Sequence, residues 1–110
     1  MVTGGKASRQ KGDRAEREVV HILQEAGIAA ERIPLSGSAG GRFASDVLVP
    51  VFGHDRRIEV KCKADGFALI YRWLVNRYGL VLRADRSEPL IVIRLRDFAE
   101  LAIKADEARE

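Results

Sequence analysis

The sequence carries a single cysteine, Cys62, in 110 residues. An intramolecular disulfide and a cysteine-based metal cluster are therefore excluded, and a reducing, cytoplasmic setting is expected. No apolar run approaches the roughly 20 residues of a membrane-spanning helix. The segment Met1-Val2-Thr3-Gly4-Gly5-Lys6 lacks the apolar core of a signal peptide. Internal repeats and low-complexity tracts are missing too, and no Gly-Lys-Ser/Thr opens a helix as a nucleotide-binding P-loop would.

What remains is a composition suited to one globular domain. Hydrophobic residues make up 46% and charged residues 32%, which argues against wholesale disorder. A chain of this length can bury a single core without staples. Nineteen basic residues against sixteen acidic ones give a net charge of +3, a mild excess that permits nucleic acid as a partner without requiring it.

The stretch Arg57-Ile58-Glu59-Val60-Lys61-Cys62-Lys63 alternates charged and apolar residues. As a strand it places Arg57, Glu59, Lys61 and Lys63 on one face and Ile58, Val60 and Cys62 on the other. A half-buried strand with a solvated charged face is the plain explanation. Asp46 adds a chemical one. It lies thirteen residues before Glu59 at the mouth of the apolar run Val47-Leu48-Val49-Pro50-Val51-Phe52, with Gly53-His54-Asp55 as the expected turn. Two antiparallel strands joined there bring Asp46 toward Glu59 and Lys61. Two carboxylates plus a substrate phosphate suffice for Mg²⁺, a hard ion that keeps several waters. A neighbouring lysine can orient water and stabilise charge on the phosphate. The chemistry expected of such a trio is phosphodiester hydrolysis.

Along the chain, residues 1–11 are rich in Gly, Ser, Lys and Arg and are expected to form a flexible basic arm, with the domain proper spanning 12–110. Lys6, Arg9, Lys11 and Arg14 are placed to meet phosphates, the plain alternative being a solvated tail. Apolar residues at helical spacing predict a helix over 12–26, with Asp13 as a cap or dipole partner and Gly27 as the stop. Glu16 shares a stripe with Val20 and Leu23, aimed at the sheet; the alternative is a surface glutamate paired with Arg14 or Arg17. Residues 29–35 read as a first strand. The small-residue loop Ser36-Gly37-Ser38-Ala39-Gly40-Gly41, closed by Arg42 and Phe43, can fold over a nucleic-acid backbone or be an ordinary connection.

Beyond the central strands, 66–77 is predicted helical, with Phe67, Leu69, Ile70, Trp73 and Leu74 inward and Tyr71, Arg72 and Arg77 outward. Residues 80–83 and 90–95 read as strands apolar enough for a sheet centre or a face covered on both sides. A closing helix over 97–110 turns Phe98, Leu101 and Ala102 inward. The order helix, three strands, helix, two strands, helix is that of an α/β domain with a mixed sheet and helices on its faces.

Four segments in this order and spacing, Lys11-Gly12-x-x-Ala15-Glu16-Arg17-Glu18, Ile33-Pro34-Leu35-Ser36-Gly37-Ser38, Ser45-Asp46 and Glu59-Val60-Lys61, resemble archaeal-type Holliday junction resolvases of the PD-(D/E)XK nuclease superfamily. The resemblance covers about residues 9–63, and the last third is more similar to small phage-like nucleases. It implies a restriction-endonuclease-like core with a mixed five-stranded sheet flanked by helices. It further implies Asp46, Glu59 and the Val60 carbonyl as ligands of Mg²⁺, with Mn²⁺ as a substitute. Lys61 would position water, and Glu16 would reach the metal directly or through water. Arg9, Lys11 and Arg14 would bind phosphate, Ser36 would sit near the scissile bond, and Ser38 and Arg42 complete the expected DNA-binding set. Ser45 stands where the motif usually has proline, which alters the backbone without removing a ligand.

The implied function is a metal-dependent, structure-selective DNA endonuclease acting on four-way junctions. Symmetric cutting of a junction implies a two-fold homodimer, whose interface the exposed side of residues 67–77 or the strand edges would supply. A nuclease for flaps, nicks or other branched DNA, and a non-cleaving nucleic-acid-binding module, are the rivals.

Overall fold

The computed structural model describes residues 4–33 and 46–109, with side chains from residue 12 onward. Helix α1, Gly4–Glu25, is followed by the short strand β1, Glu31–Arg32. Strands β2, Asp46–Val51, and β3, His54–Glu59, then form a hairpin. Helix α2, Ala68–Leu74, leads to β4, Gly79–Leu82, and β5, Leu90–Ile93. Helix α3, Leu95–Ala108, completes the described fold. The order matches the αβββαββα expectation.

Helix α1 begins eight residues earlier than the pattern suggested. Lys, Ala, Gln and Arg between Gly5 and Gly12 are good helix formers, so the basic stretch can join the amphipathic helix behind it. Asp13 consequently lies mid-helix rather than at a cap. Gly27, with φ of 101°, is the left-handed stop expected after the helix.

The five strands do not make one sheet. Among the described residues, β1, β2 and β3 form an antiparallel three-stranded sheet, and β4 and β5 a separate antiparallel pair. Apolar alternation specifies which segments become strands and which faces they bury, but not which edges pair. The strand expected over 57–63 ends at Glu59, and residues 60–67 carry the chain away from the β3 edge into α2.

The hairpin turn is Phe52-Gly53, not Gly53-His54-Asp55. Both turn residues have positive φ, 55° and 76°, as a two-residue turn matched to strand twist requires. Phe52 is an uncommon choice there. Its N–H donates to Oδ1 of Asp106 at 3.1 Å, and the Arg109 guanidinium lies 5.6 Å from its ring centroid, so α3 braces the turn.

The core forms where α1 and α3 meet one face of β2. Leu23, Ile28, Ala30, Val47, Val49, Ala99 and Ala102 are buried, with Ile58, Phe98 and Ile103 packed against them. Leu101, expected inward, is exposed because the buried stripe of α3 runs through Ala99 and Ala102. Leu69 and Trp73 of α2 are half exposed as well, and only Leu74 of that helix is buried. The β4–β5 pair is not covered on both sides. Val81 and Ile91 are directly opposite in register and therefore share a face, and both are about two-thirds exposed.

Arg94 ties this outer unit together. Its guanidinium donates to the carbonyl of Arg77 at 2.9 Å and of Leu74 at 3.2 Å, satisfying acceptors at and just beyond the end of α2. No helix among the described residues is long and apolar enough to cross a membrane.

Candidate active site

Strands β2 and β3 pair in antiparallel register with Asp46 opposite Glu59, Val47 opposite Ile58 and Leu48 opposite Arg57. Side chains directly opposite one another share a face and have Cβ atoms roughly 4.5–5.5 Å apart. Val47 and Ile58 face the core, so alternation puts Asp46 and Glu59 together on the other face. Asp46 is buried at 8% exposure, whereas the Glu59 side chain is half exposed. Lys61, two residues beyond Glu59, brings its Nζ to 3.4 Å from Oε1 of Glu59. The hairpin register brings Asp46 and Glu59 together at one strand end, and the ion pair to Glu59 adds the Lys61 amine. Val60 lies between the latter two, just outside β3 and half buried.

Glu16 is buried at 4% exposure on α1, as the stripe predicted. Its partner is neither Arg14 nor Arg17. Arg32 donates from Nε to Oε1 of Glu16 at 3.0 Å and from Nη2 to Oδ1 of Asp13 at 2.8 Å. Arg32 is opposite Val47 in the β1–β2 register, which places this trio on the α1 side of the sheet. Asp46 and Glu59 belong to the opposite side. Among the described residues, no group of three or more His, Cys, Asp or Glu side chains is assembled to hold a metal ion. The pair Asp46 and Glu59 is assembled, and Glu16 stands apart with Arg32.

Arg14 is exposed on α1. The side chains of Arg9 and Lys11, and all of Ser36, Ser38 and Arg42, lie outside the described residues. Arg32 is the partner of Glu16 that local sequence reasoning missed. It sits sixteen residues from Glu16, and only the packing of α1 on β1 joins them.

The family model described as archaeal Holliday junction resolvase (Hjc) matches residues 7–108. The chain belongs to that family. The match carries the Hjc assignment through the last third, including α2, the β4–β5 pair and α3. No curated protein and no solved structure matches the chain. In this Hjc family member the β2–β3 register and an ion pair bring together Asp46, Glu59 and Lys61, the residues singled out from the sequence, and the fold adds Arg32 beside Glu16.

Oxygen donors suit the ion that the resemblance implies. Two carboxylates directly opposite each other on one face repel, and a cation between them removes that cost. Mg²⁺ or Mn²⁺ takes such ligands with one or two protein carboxylates and several waters. The donor set therefore fits a hard divalent cation.

Proposed function

We propose that this protein is a divalent-metal-dependent DNA endonuclease that hydrolyses phosphodiester bonds in four-way junctions. Membership of the Hjc family suggests a nuclease acting on branched DNA. The observation that carries the residue-level reading is the register pair Asp46–Glu59 with the Lys61 amine at its edge.

Asp46 and Glu59 would hold the ion, with the Val60 carbonyl as a further oxygen. When bound, Mg²⁺ or Mn²⁺ supplies Lewis acidity toward a phosphate oxygen and toward water. Lys61, anchored near Glu59, orients the attacking water and offers positive charge to the phosphate as negative charge builds on it. Glu16, held by Arg32 on the α1 side of the sheet, is left out of this ligand set. Arg9, Lys11 and Arg14 on α1 would contact phosphates, as would Ser36, Ser38 and Arg42 before Asp46.

Two symmetric cuts in one junction need two copies of this site, hence a two-fold dimer. The Val81–Ile91 face of the β4–β5 pair is the surface we assign to it. A two-stranded sheet on its own is marginally stable in water. A second copy laid across this face would cover Val81 and Ile91.

The deciding experiment compares a labelled synthetic four-way junction with nicked duplex, a flap and linear duplex, each in Mg²⁺, Mn²⁺ or EDTA. Paired, metal-dependent cuts confined to the junction are expected. Cutting of flaps or duplex instead would keep the site but broaden the substrate. Tight binding without cutting in either metal would make the protein a binding module.

A further inference from the structure

Past Lys61 the chain turns back on itself before entering α2, and the turn encloses a half-open groove of about 230 Å³. Its lining includes Lys61, Cys62, Lys63, Asp65, Phe67 and Tyr71. Phe67 and Tyr71 are four residues apart, joined by a hydrogen bond from the Tyr71 N–H to the Phe67 carbonyl, and so stand on one side of the helix. Tyr71 is 73% exposed, more than any other large hydrophobic side chain among the described residues. Lys63 holds its ammonium 5.8 Å from the centroid of the Phe67 ring, within cation–π range. Gly66 makes room for that lysine: a Cβ there would come within 2.6 Å of Lys63 Cδ and 3.3 Å of its Cβ.

Two ammonium groups, two aromatic rings and one carboxylate are a poor lining for an aliphatic ligand and a suitable one for a nucleotide. Every base has a π face that stacks on an aromatic side chain whatever its identity. Lysines take the phosphates on either side of it. Asp65 can accept from an exocyclic amino group. The groove has the size of one base, not of a duplex. It is continuous with the candidate active site, because Lys61 both lines it and lies 3.4 Å from Glu59.

We propose that this groove is a subsite for one unstacked nucleobase of the cut strand, seated beside the phosphate that Lys61 faces, with Tyr71 as the principal stacking residue and Lys63 on a flanking phosphate. The proposal rests on the nuclease reading and deepens it. The enzyme would favour DNA in which the nucleotide next to the cut is unpaired or easily unpaired, as at the centre of a branch.

The test begins by mapping the parent's cut and measuring its binding in EDTA to two otherwise identical labelled DNAs. In one the nucleotide next to the cut phosphate is unpaired, and in the other it is paired. Tyr71→Ala should weaken binding of the unpaired form about ten-fold, the scale of one base–aromatic stack, and leave the paired form nearly unchanged. Tyr71→Phe should bind as the parent does. An abasic residue at that nucleotide should erase the difference between Tyr71→Ala and the parent, since the two changes remove the same contact. Cys62, the only cysteine of the chain, gives an independent readout: the unpaired DNA should protect it from maleimide and the paired DNA should not. Equal loss on both DNAs, or no loss on either, would overturn the subsite while leaving the nuclease intact. Protection of Cys62 without DNA that fades on dilution would assign the groove to contact between copies and overturn it as well. A parent that neither binds nor cuts any DNA would remove the nuclease reading and the subsite together.

Discussion

Arg32 donates from Nε to Oε1 of Glu16 across 3.0 Å, joining β1 to the buried face of α1. The Glu16 side chain is 5% exposed and that of Arg32 30%, so removing the arginine strands a carboxylate in the interior while removing both charges does not. Arg32→Ala should cost about 3 kcal/mol in urea unfolding, the lower end for breaking a buried pair. Arg32→Ala combined with Glu16→Gln should recover part of that loss. Additive costs in the double variant would mean the two residues are not coupled.

Asp46→Asn should abolish cleavage and leave DNA binding nearly intact, because in the proposed site it removes a metal-holding charge and not a phosphate contact. A fall of about 10³-fold is expected from the several kcal/mol that a bound ion contributes. The same variant relieves repulsion across the Asp46–Glu59 pair, so without metal it should melt no lower than the parent. Gel assays of cutting and binding on one junction, with a melting curve in EDTA, check all three. Undiminished cutting by Asp46→Asn would mean the site is misassigned.

An ion that binds only the folded state stabilises it by mass action, about 2.7 kcal/mol at a hundred times its dissociation constant. For a domain of this size that is a rise in Tm of roughly 10 °C or more. Thermal melts with Mn²⁺ and with EDTA should show this shift in the parent, and Glu59→Gln should lose most of it. A shift retained in both Asp46→Asn and Glu59→Gln would place the ion elsewhere.

Ile91→Glu puts a charge in the middle of the face shared with Val81. Light scattering after size-exclusion should report a dimer for the parent and a monomer for the variant. The monomer should nick a junction but fail to make paired cuts in one binding event. A parent that is monomeric at all concentrations would overturn the assigned interface.

Arg94→Ala leaves the Leu74 and Arg77 carbonyls without their guanidinium donor. Loss of about 1–2 kcal/mol is expected from two charge-assisted bonds at a partly exposed position. Hydrogen exchange should quicken first in α2 and β4, with β2 and β3 little affected.

The β2–β3 hairpin was readable because its information is local. Alternation marks the faces of each strand and brings Asp46 toward Glu59, but the register itself is set by the Phe52-Gly53 turn, which the sequence placed at Gly53-His54-Asp55 because Phe is rare at positive φ. Burial of Glu16 was one of two readings the residues left open, and its stripe with Val20 and Leu23 pointed to the one found. Its partner was not readable, since Arg32 meets Glu16 only after α1 packs on β1, and nearby Arg14 and Arg17 looked equally able to serve. The single sheet expected from five strands failed on a different point: nothing in the composition of residues 79–82 and 90–93 says which edges pair. Their apolar content suggested cover on both sides, and Val81 and Ile91 are exposed in this chain. A side chain covered by its own domain and one available to a second copy have the same sequence signature.

The two helices farthest apart in the sequence, α1 and α3, supply Leu23, Ala99 and Ala102 to one cluster around Val47 and Val49, and the Asp106 carboxylate of α3 receives the N–H of Phe52 in the hairpin turn. Closing that cluster means closing a loop that spans most of the chain, an entropic cost met before the contacts return it. During synthesis the hairpin bearing Asp46 and Glu59 emerges long before the helix that braces its turn. Asp46 and Glu59 should therefore become rigid together only when α3 docks, so a nascent chain would hold them on an unbraced hairpin until synthesis has passed Asp106.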